Sequence, residues 1–148
     1  SDYDICFDMI YFIFSFNHIS DQLETLKIAK SKLKKGGKIF MILINANDML
    51  YKKNIIPEYT DFRICKEFLV MHSSKSIELF LKKAKFKKIK IFYRQRYNIS
   101  NLFKWLFKKE PNLLIQIEKT DLSKTDQVYK NYLEKNQCSD TLVVEASS

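Results

Sequence analysis

The stretch Phe7-Asp8-Met9-Ile10-Tyr11-Phe12-Ile13-Phe14-Ser15-Phe16-Asn17-His18-Ile19-Ser20-Asp21, with Leu33-Lys34-Lys35-Gly36-Gly37-Lys38-Ile39 after it, decides the fold. Ile5 to Phe16 is apolar and aromatic, broken only by Asp8 and Ser15, and its length suits a central strand buried on both faces. Ser20-Asp21 then opens a helix of about four turns, with Leu23, Leu26, Ala29 and Leu33 at helical spacing and Glu24 placed as in a capping box. The only two glycines of the chain, Gly36-Gly37, are expected to end that helix and turn the backbone, with Lys34 and Lys35 complementing the dipole of its last turn. Lys38 to Ile44 reads as a second buried strand. A strand, a helix and a strand, both strands apolar throughout, predict a right-handed parallel crossover.

Outward from this core (residues 1–44), the periodicity fades over 45–72, where Asn54, Pro57 and mixed aromatics predict an irregular or partly helical insertion. Residues 73–93 hold a helix capped by Ser73 or Ser74, with Ile77, Phe80, Leu81 and Ala84 on one face, and then a strand alternating Ile89, Ile91 and Tyr93. A lid-like insertion over 94–120 carries a short helix capped by Ser100, bearing Leu102, Phe103 and Leu106 and ended by Pro111. Residues 121–146 give a last helix opened by Ser123 and Asp126, with Val128, Tyr129, Tyr132 and Leu133, and a final strand from Thr141 to Val144 after the turn Cys138-Ser139-Asp140. This succession is the α/β class.

With 148 residues and 46% hydrophobic content the chain suffices for one globular domain. The longest apolar run, Met9 to Phe16, is about eight residues against the roughly 20 a spanning helix needs, and Ser1-Asp2-Tyr3-Asp4 lacks the positive leader of a signal peptide. Cys6, Cys65 and Cys138 show no CxxC or Cys/His pairing of the kind a zinc site or disulfide framework needs, so a reducing, cytoplasmic setting and no metal are expected. The net charge of +9 is spread in single lysines and pairs such as Lys34-Lys35, Lys82-Lys83, Lys87-Lys88 and Lys108-Lys109. That distribution favours solvated helix faces over nucleic-acid binding.

Phe7 through Asp21 and Leu33 through Ile39 together resemble a class I S-adenosylmethionine-dependent methyltransferase of the type 11/type 23 domain group, from its fourth strand to its fifth. The shared pattern is an FD-apolar strand, an EH or HH dipeptide, an acidic helix start and LKPGG before the next strand. Lys35 replaces the proline, and Asn17 replaces the residue before the His. Ser73 to Leu81 resembles the family's next helix, with Lys85-Phe86 where Gly-Phe is usual before the sixth strand. Arg96 to Leu102, with Trp105, Leu106 and Pro111, resembles an insertion in methyltransferases of sugar and polysaccharide pathways, and Asp140-Thr141-Leu142 resembles the last strand. The resemblance implies the C-terminal half of a doubly wound Rossmann-like sheet, strands four to seven, with helical insertions. It also implies S-adenosyl-L-methionine as cofactor and a small molecule or a sugar/polysaccharide precursor as methyl acceptor.

The family's first strand ends in a glycine-rich loop and its second in an acidic residue that holds the ribose. Gly36-Gly37 lie on the wrong side of a helix to form that loop. The chain is therefore expected to be a fragment missing its N-terminal half and inactive alone, as the lack of an initiating Met also implies.

Methyl transfer from a sulfonium asks chiefly for in-line geometry and exclusion of water, plus a base where the acceptor is a hydroxyl or amine. His18, at the carboxyl end of the first strand, is the candidate base, and capping or packing of the next helix is its alternative role. Ligands of open α/β sheets sit at the carboxyl ends of strands, which places Ile13, Phe14, Ser15 and Phe16 toward the cofactor and Asn17, Asn45 and Asn47 toward the acceptor. Turn chemistry is the competing role of Asn45 and Asn47. Arg94, Arg96, Tyr97 and Trp105 combine cations with rings that stack on sugars or bases, with Arg96, Tyr97 and Trp105 the acceptor candidates; a packed lid helix is the alternative. His72 is expected to pack rather than to catalyse. Two other functions stay open: a non-catalytic interaction subunit that completes its sheet with a partner chain, and an RNA methyltransferase.

Overall fold

A computed structural model describes residues 6–64, 68–110 and 122–148. The elements run β1 (Phe7–Ile13), a 3-10 turn (Phe16–His18), α1 (Gln22–Ser31), β2 (Leu33–Ile44), α2 (Met49–Lys52), α3 (Pro57–Arg63), α4 (Ser74–Lys83), β3 (Lys87–Arg94), α5 (Ile99–Lys108), α6 (Leu122–Lys135) and β4 (Thr141–Ser147). They fall into two units, one from Ser1–Ile44, Glu67–Phe92 and Leu142–Ser148, the other from Asn45–Lys66 and Tyr93–Thr141.

In the first unit the strands lie in the order β1-β2-β4-β3. β1 and β2 pair in parallel, as a crossover through α1 requires. Ser148 N–H donates to the Gly37 carbonyl, and Asn45 N–H to the Asp140 carbonyl, so numbers fall along β4 as they rise along β2 and the two strands are antiparallel. Alternate residues on both strands, Ile39, Met41 and Leu43 with Leu142, Val144 and Ala146, are buried. Leu26 and Ala29 of α1 and Ile77 and Leu81 of α4 complete this core at helical spacing.

Three expectations are corrected here. β1 is not buried on both faces: among the described residues it stands at the sheet edge, bonded to β2 alone, and leaves Phe7, Met9, Tyr11 and Ile13 exposed at 45%, 38%, 58% and 57%. An apolar run records what a strand can bury; a neighbour must be present to bury it. α1 is shorter than four turns, with 10 residues between the Asp21 cap, whose carboxylate accepts the Glu24 N–H, and the C-cap Lys32. Gly36-Gly37 therefore do not end the helix, and Lys34 and Lys35 are not in its last turn. They lie within β2, where the pairing steps from Phe7↔Leu33 to Met9↔Lys38 and accommodates three extra residues. Gly36 takes φ +78 at this bulge, and a Cβ on Gly37 would meet the Lys34 carbonyl at 2.9 Å and the Phe7 carbonyl at 3.1 Å.

The second unit packs Leu50, Ile56, Tyr59 and Trp105 together, with Met49, Tyr51 and Leu102 against them. Pro57, part of the stretch that predicts an irregular or partly helical insertion, occupies the first turn of α3, where its fixed φ suits a helix start. Asn98 rather than Ser100 caps α5: its backbone is extended and its side chain accepts the Asn101 N–H. The expected stop at Pro111 lies outside the described residues, and α5 reaches Lys108 with Lys109 left-handed behind it. Asp126 accepts the Ile99 N–H at 2.8 Å and ties α6 to α5.

Candidate functional site

The carboxyl end of β1 carries the candidate cofactor and base residues of the first unit. Ile13 closes the strand, exposed, and Phe14 follows with φ +52 while its N–H donates to the Ile42 carbonyl at 2.9 Å. A left-handed backbone is an outlier for a bulky residue, and it swings the chain into the 3-10 turn that Ser15 opens. Phe16 and Asn17 are buried at 0%, and His18 is exposed with its ring 5.0 Å from that of Phe68. The Asn17 carbonyl accepts the Leu69 N–H, but among the described residues neither Nδ2 nor Oδ1 of its side chain has a hydrogen-bond partner. A buried amide left this way costs roughly 1–3 kcal/mol for each unpaired group.

The turn is held from behind by His72, which packs as expected and adds hydrogen bonds that its sequence position does not disclose. Gln22 Nε2 donates to the Phe16 carbonyl at 2.9 Å, which turns its Oε1 toward His72 Nε2 at 2.8 Å. His72 Nδ1 lies 3.1 Å from the Ser76 hydroxyl, and the ring sits between Phe16 and Phe80. The neutral imidazole fits these partners with Nε2 donating and Nδ1 accepting. Burial lowers its pKa from 6.5 to about 4.

Between these values the unfolded chain binds the proton and the folded chain does not. Folding stability is therefore complete above pH 6.5 and declines as pH falls toward about 4, by about 3 kcal/mol at most. Denaturant midpoints measured at about pH 7 and pH 4.5 are expected to show this loss, and a His72→Gln variant is expected to flatten it. An unchanged acid slope in that variant would place the titrating group elsewhere.

In the second unit a buried charge cluster joins α2, α3 and the turn before β4. Asp48, 4% exposed, caps α2 through the Leu50 N–H and accepts the Tyr59 hydroxyl. Arg63 Nη2 lies 3.4 Å from the same carboxylate and donates to the Asp140 carbonyl at 2.8 Å. The Asp140 carboxylate accepts the N–H groups of Arg96 and Tyr97 and the Thr141 hydroxyl. Burial holds the Asp48 carboxyl above its usual range although Arg63 and Tyr59 pull it down, and burial also raises the phenols of Tyr59 and Tyr129. The cavity beside them, lined by Asp48, Tyr59, Gln95, Tyr97, Asn101 and Tyr129 among others, measures about 10 Å³, room for a single water. Small-molecule sites run to roughly 300 Å³ and more. As it stands, the cluster is internal architecture.

The other predicted residues of this unit are largely occupied. Asn45, fully buried, donates through Nδ2 to the Ser139 carbonyl at 2.8 Å and accepts the Asn47 N–H at 2.9 Å, a turn closed on itself. Arg96 lies over the Tyr97 ring at 5.0 Å and donates to its hydroxyl. Trp105 is 2% exposed and meets Tyr59 edge-on, with centroids 5.1 Å apart, so its faces serve the core. Within the first unit the structure thus brings together Ile13, Phe14, Ser15, Phe16, Asn17 and His18 in one turn. Within the second it brings Arg96 and Tyr97 to Asp140, and Asn45 to Asn47. Among the described residues no helix is long and apolar enough to cross a membrane, and no group of three or more His, Cys, Asp or Glu could hold a metal ion.

Residues 4–91 match a family described as a methyltransferase domain. No curated protein matches the chain's sequence. Among solved structures, an S-adenosylmethionine-dependent methyltransferase of Archaeoglobus fulgidus shares 15% identity at a TM-score of 0.58, with 97% of this chain and 60% of that one aligned. One from Thermotoga maritima, described as a possible histamine N-methyltransferase, shares 19% at 0.60 over 95% and 56%. The YcgJ protein of Bacillus subtilis shares 10% at 0.55 over 97% and 64%. The chain thus spans about 60% of the length of the structures it resembles.

Proposed function

Because this chain belongs to the methyltransferase-domain family and has the fold of its S-adenosylmethionine-dependent members, we propose that it is the carboxyl-terminal part of such an enzyme, acting on a small molecule or a sugar/polysaccharide precursor. The observation that carries this reading is the fully buried amide of Asn17, unpaired among the described residues, next to the exposed imidazole of His18 at the carboxyl end of β1.

The chain's residues fit one wall of a cofactor site. Ile13, Phe14 and Ser15 supply an accessible strand end, Phe16 is buried behind them against His72 and so backs the wall instead of lining it, and the Asn17 amide has no partner among the described residues. The glycines do not fit the opposite wall, because both sit in the β2 bulge against the backbone of β1. The bare edge of β1 supports the same reading, since an edge strand with four exposed apolar side chains suits further strands beyond it.

S-adenosylmethionine, when bound, supplies an electrophilic methyl group. The work of this chain is to orient and to move a proton. Asn17 holds a ligand polar group through its amide, and His18 accepts the proton that the hydroxyl or amine of the acceptor loses as its lone pair becomes a bond.

The test is Asn17→Leu, a change of similar volume that removes the unpaired amide. In the 148-residue chain the unfolding midpoint is expected to rise or hold, because two unsatisfied groups leave the interior. In the longer polypeptide, methyl transfer is expected to fall at least about tenfold, the loss of one ligand hydrogen bond. Unaltered transfer would remove Asn17 from the site, and with it the observation on which the reading rests.

A further inference from the structure

The carboxyl-terminal ends of α1 and α4 line a cleft of about 430 Å³ bounded by Lys27, Lys30, Ser31, Lys83, Ala84 and Lys85. Its charge is not balanced locally. Lys27 pairs with Glu24 at 3.1 Å, whereas Lys83, Lys85 and the nearby Lys87 make no ion pair among the described residues. Lysines near helix ends ordinarily complement the dipole, and Lys30 does so in part by donating to the Lys85 carbonyl at 2.6 Å. Each helix end, however, offers only about half a negative charge. Five ammonium groups against one carboxylate and two such ends leave roughly three positive charges around one concavity. Burial lowers the pKa of Lys30, and repulsion from Lys87 and Lys85 lowers it further, as expected where cations are crowded without an anion.

Lys85 adds an independent observation. It occupies the position after the C-cap of α4 with φ +64, the left-handed conformation that glycine adopts without strain. A lysine held there keeps its ammonium at the cleft against the local backbone preference.

We propose that this cleft binds a compact oligophosphate, two or three linked phosphates carrying three to four negative charges. The volume lies in the ordinary range for small-ligand sites, about 300 to 1,000 Å³. One phosphate, at about two charges, would leave the excess incompletely neutralised, and an extended strand would follow a groove rather than fill a concavity.

Inorganic tripolyphosphate titrated into the full chain by calorimetry at about 50 mM salt is expected to bind saturably, one to one, and to weaken roughly tenfold by about 200 mM salt. Lys85→Gly separates ligand binding from structure. It is expected to raise the unfolding midpoint by relieving the left-handed lysine, and to weaken tripolyphosphate binding about tenfold. Lys30→Gln is expected to weaken it similarly, whereas Lys124→Gln, outside the cleft, leaves it unchanged. The proposal fails if no saturable binding appears by about 1 mM. It fails equally if Lys85→Gly and Lys30→Gln keep the parental affinity, or if single-stranded RNA outcompetes tripolyphosphate at equal phosphate concentration.

Discussion

The 148-residue chain is expected to show no saturable binding of S-adenosylmethionine in calorimetry below about millimolar concentration. On the proposed reading its residues supply one wall of the cofactor site, from Ile13 to Asn17, and no glycine-rich loop for the methionine and ribose parts. Association costs roughly 4–15 kcal/mol in lost freedom, and a few apolar contacts with one amide do not offset that. A longer polypeptide that adds a strand, a glycine-rich loop and a later acidic residue ahead of this chain is expected to bind at least about 100-fold tighter, close to 3 kcal/mol. In that polypeptide His18→Ala is expected to lower turnover about 100-fold, the lower end of what a general base contributes, with cofactor affinity changed less than about threefold. Micromolar binding by the 148-residue chain would contradict the incomplete site. A loss of affinity equal to the loss of turnover would make His18 a binding residue instead of a base.

Arg63→Met is expected to destabilise the chain by about 3 kcal/mol, the lower end of what removing one partner of a buried ion pair costs. The side chains of Arg63 and Asp48 are only 7% and 6% exposed, so the remaining carboxylate cannot turn to water. At 3.4 Å the pair is not tight, which argues for the lower end. Asp48 would keep the Tyr59 hydroxyl and the Leu50 N–H, while the Asp140 carbonyl would lose its 2.8 Å donor. The double variant Asp48→Asn with Arg63→Met is expected to recover at least half of the loss in denaturant midpoint, because it removes the buried charge itself. Equal destabilisation by single and double variants would mean that packing, not charge, dominates this cluster.

Local chemistry made much of the fold legible. Asp21 and Glu24 announced the start of α1, Ser73 the start of α4, and the two apolar runs announced the parallel pair β1 and β2. The errors arose where distant backbone decides. Gly36-Gly37 looked like a helix stop because helix ends favour glycine, but what requires them is the approach of the Phe7 and Asp8 carbonyls across the pair, which no local window contains. Asn98 and Ser100 are both good caps, and only the extended backbone at Asn98 selects it. The site divides similarly. Its turn from Ile13 to His18 is contiguous and so visible in sequence. The Arg63 links to Asp48 and Asp140 span 15 and 77 positions, and the His72 link to Gln22 spans 50. Isolated charged and polar residues at such separations carry no periodicity by which to find one another.

β4 closes the sheet although it comes after β1, β2 and β3 along the chain. Residues 141–147 form a middle strand, inserted between β2, complete by Ile44, and β3, complete by Arg94. Until those seven residues join the sheet, β2 and β3 present open edges and the sheet stays split. A chain interrupted before Thr141 keeps those edges open and invites holding chaperones and quality-control proteases, so truncation ahead of β4 does the damage of a lesion in the core.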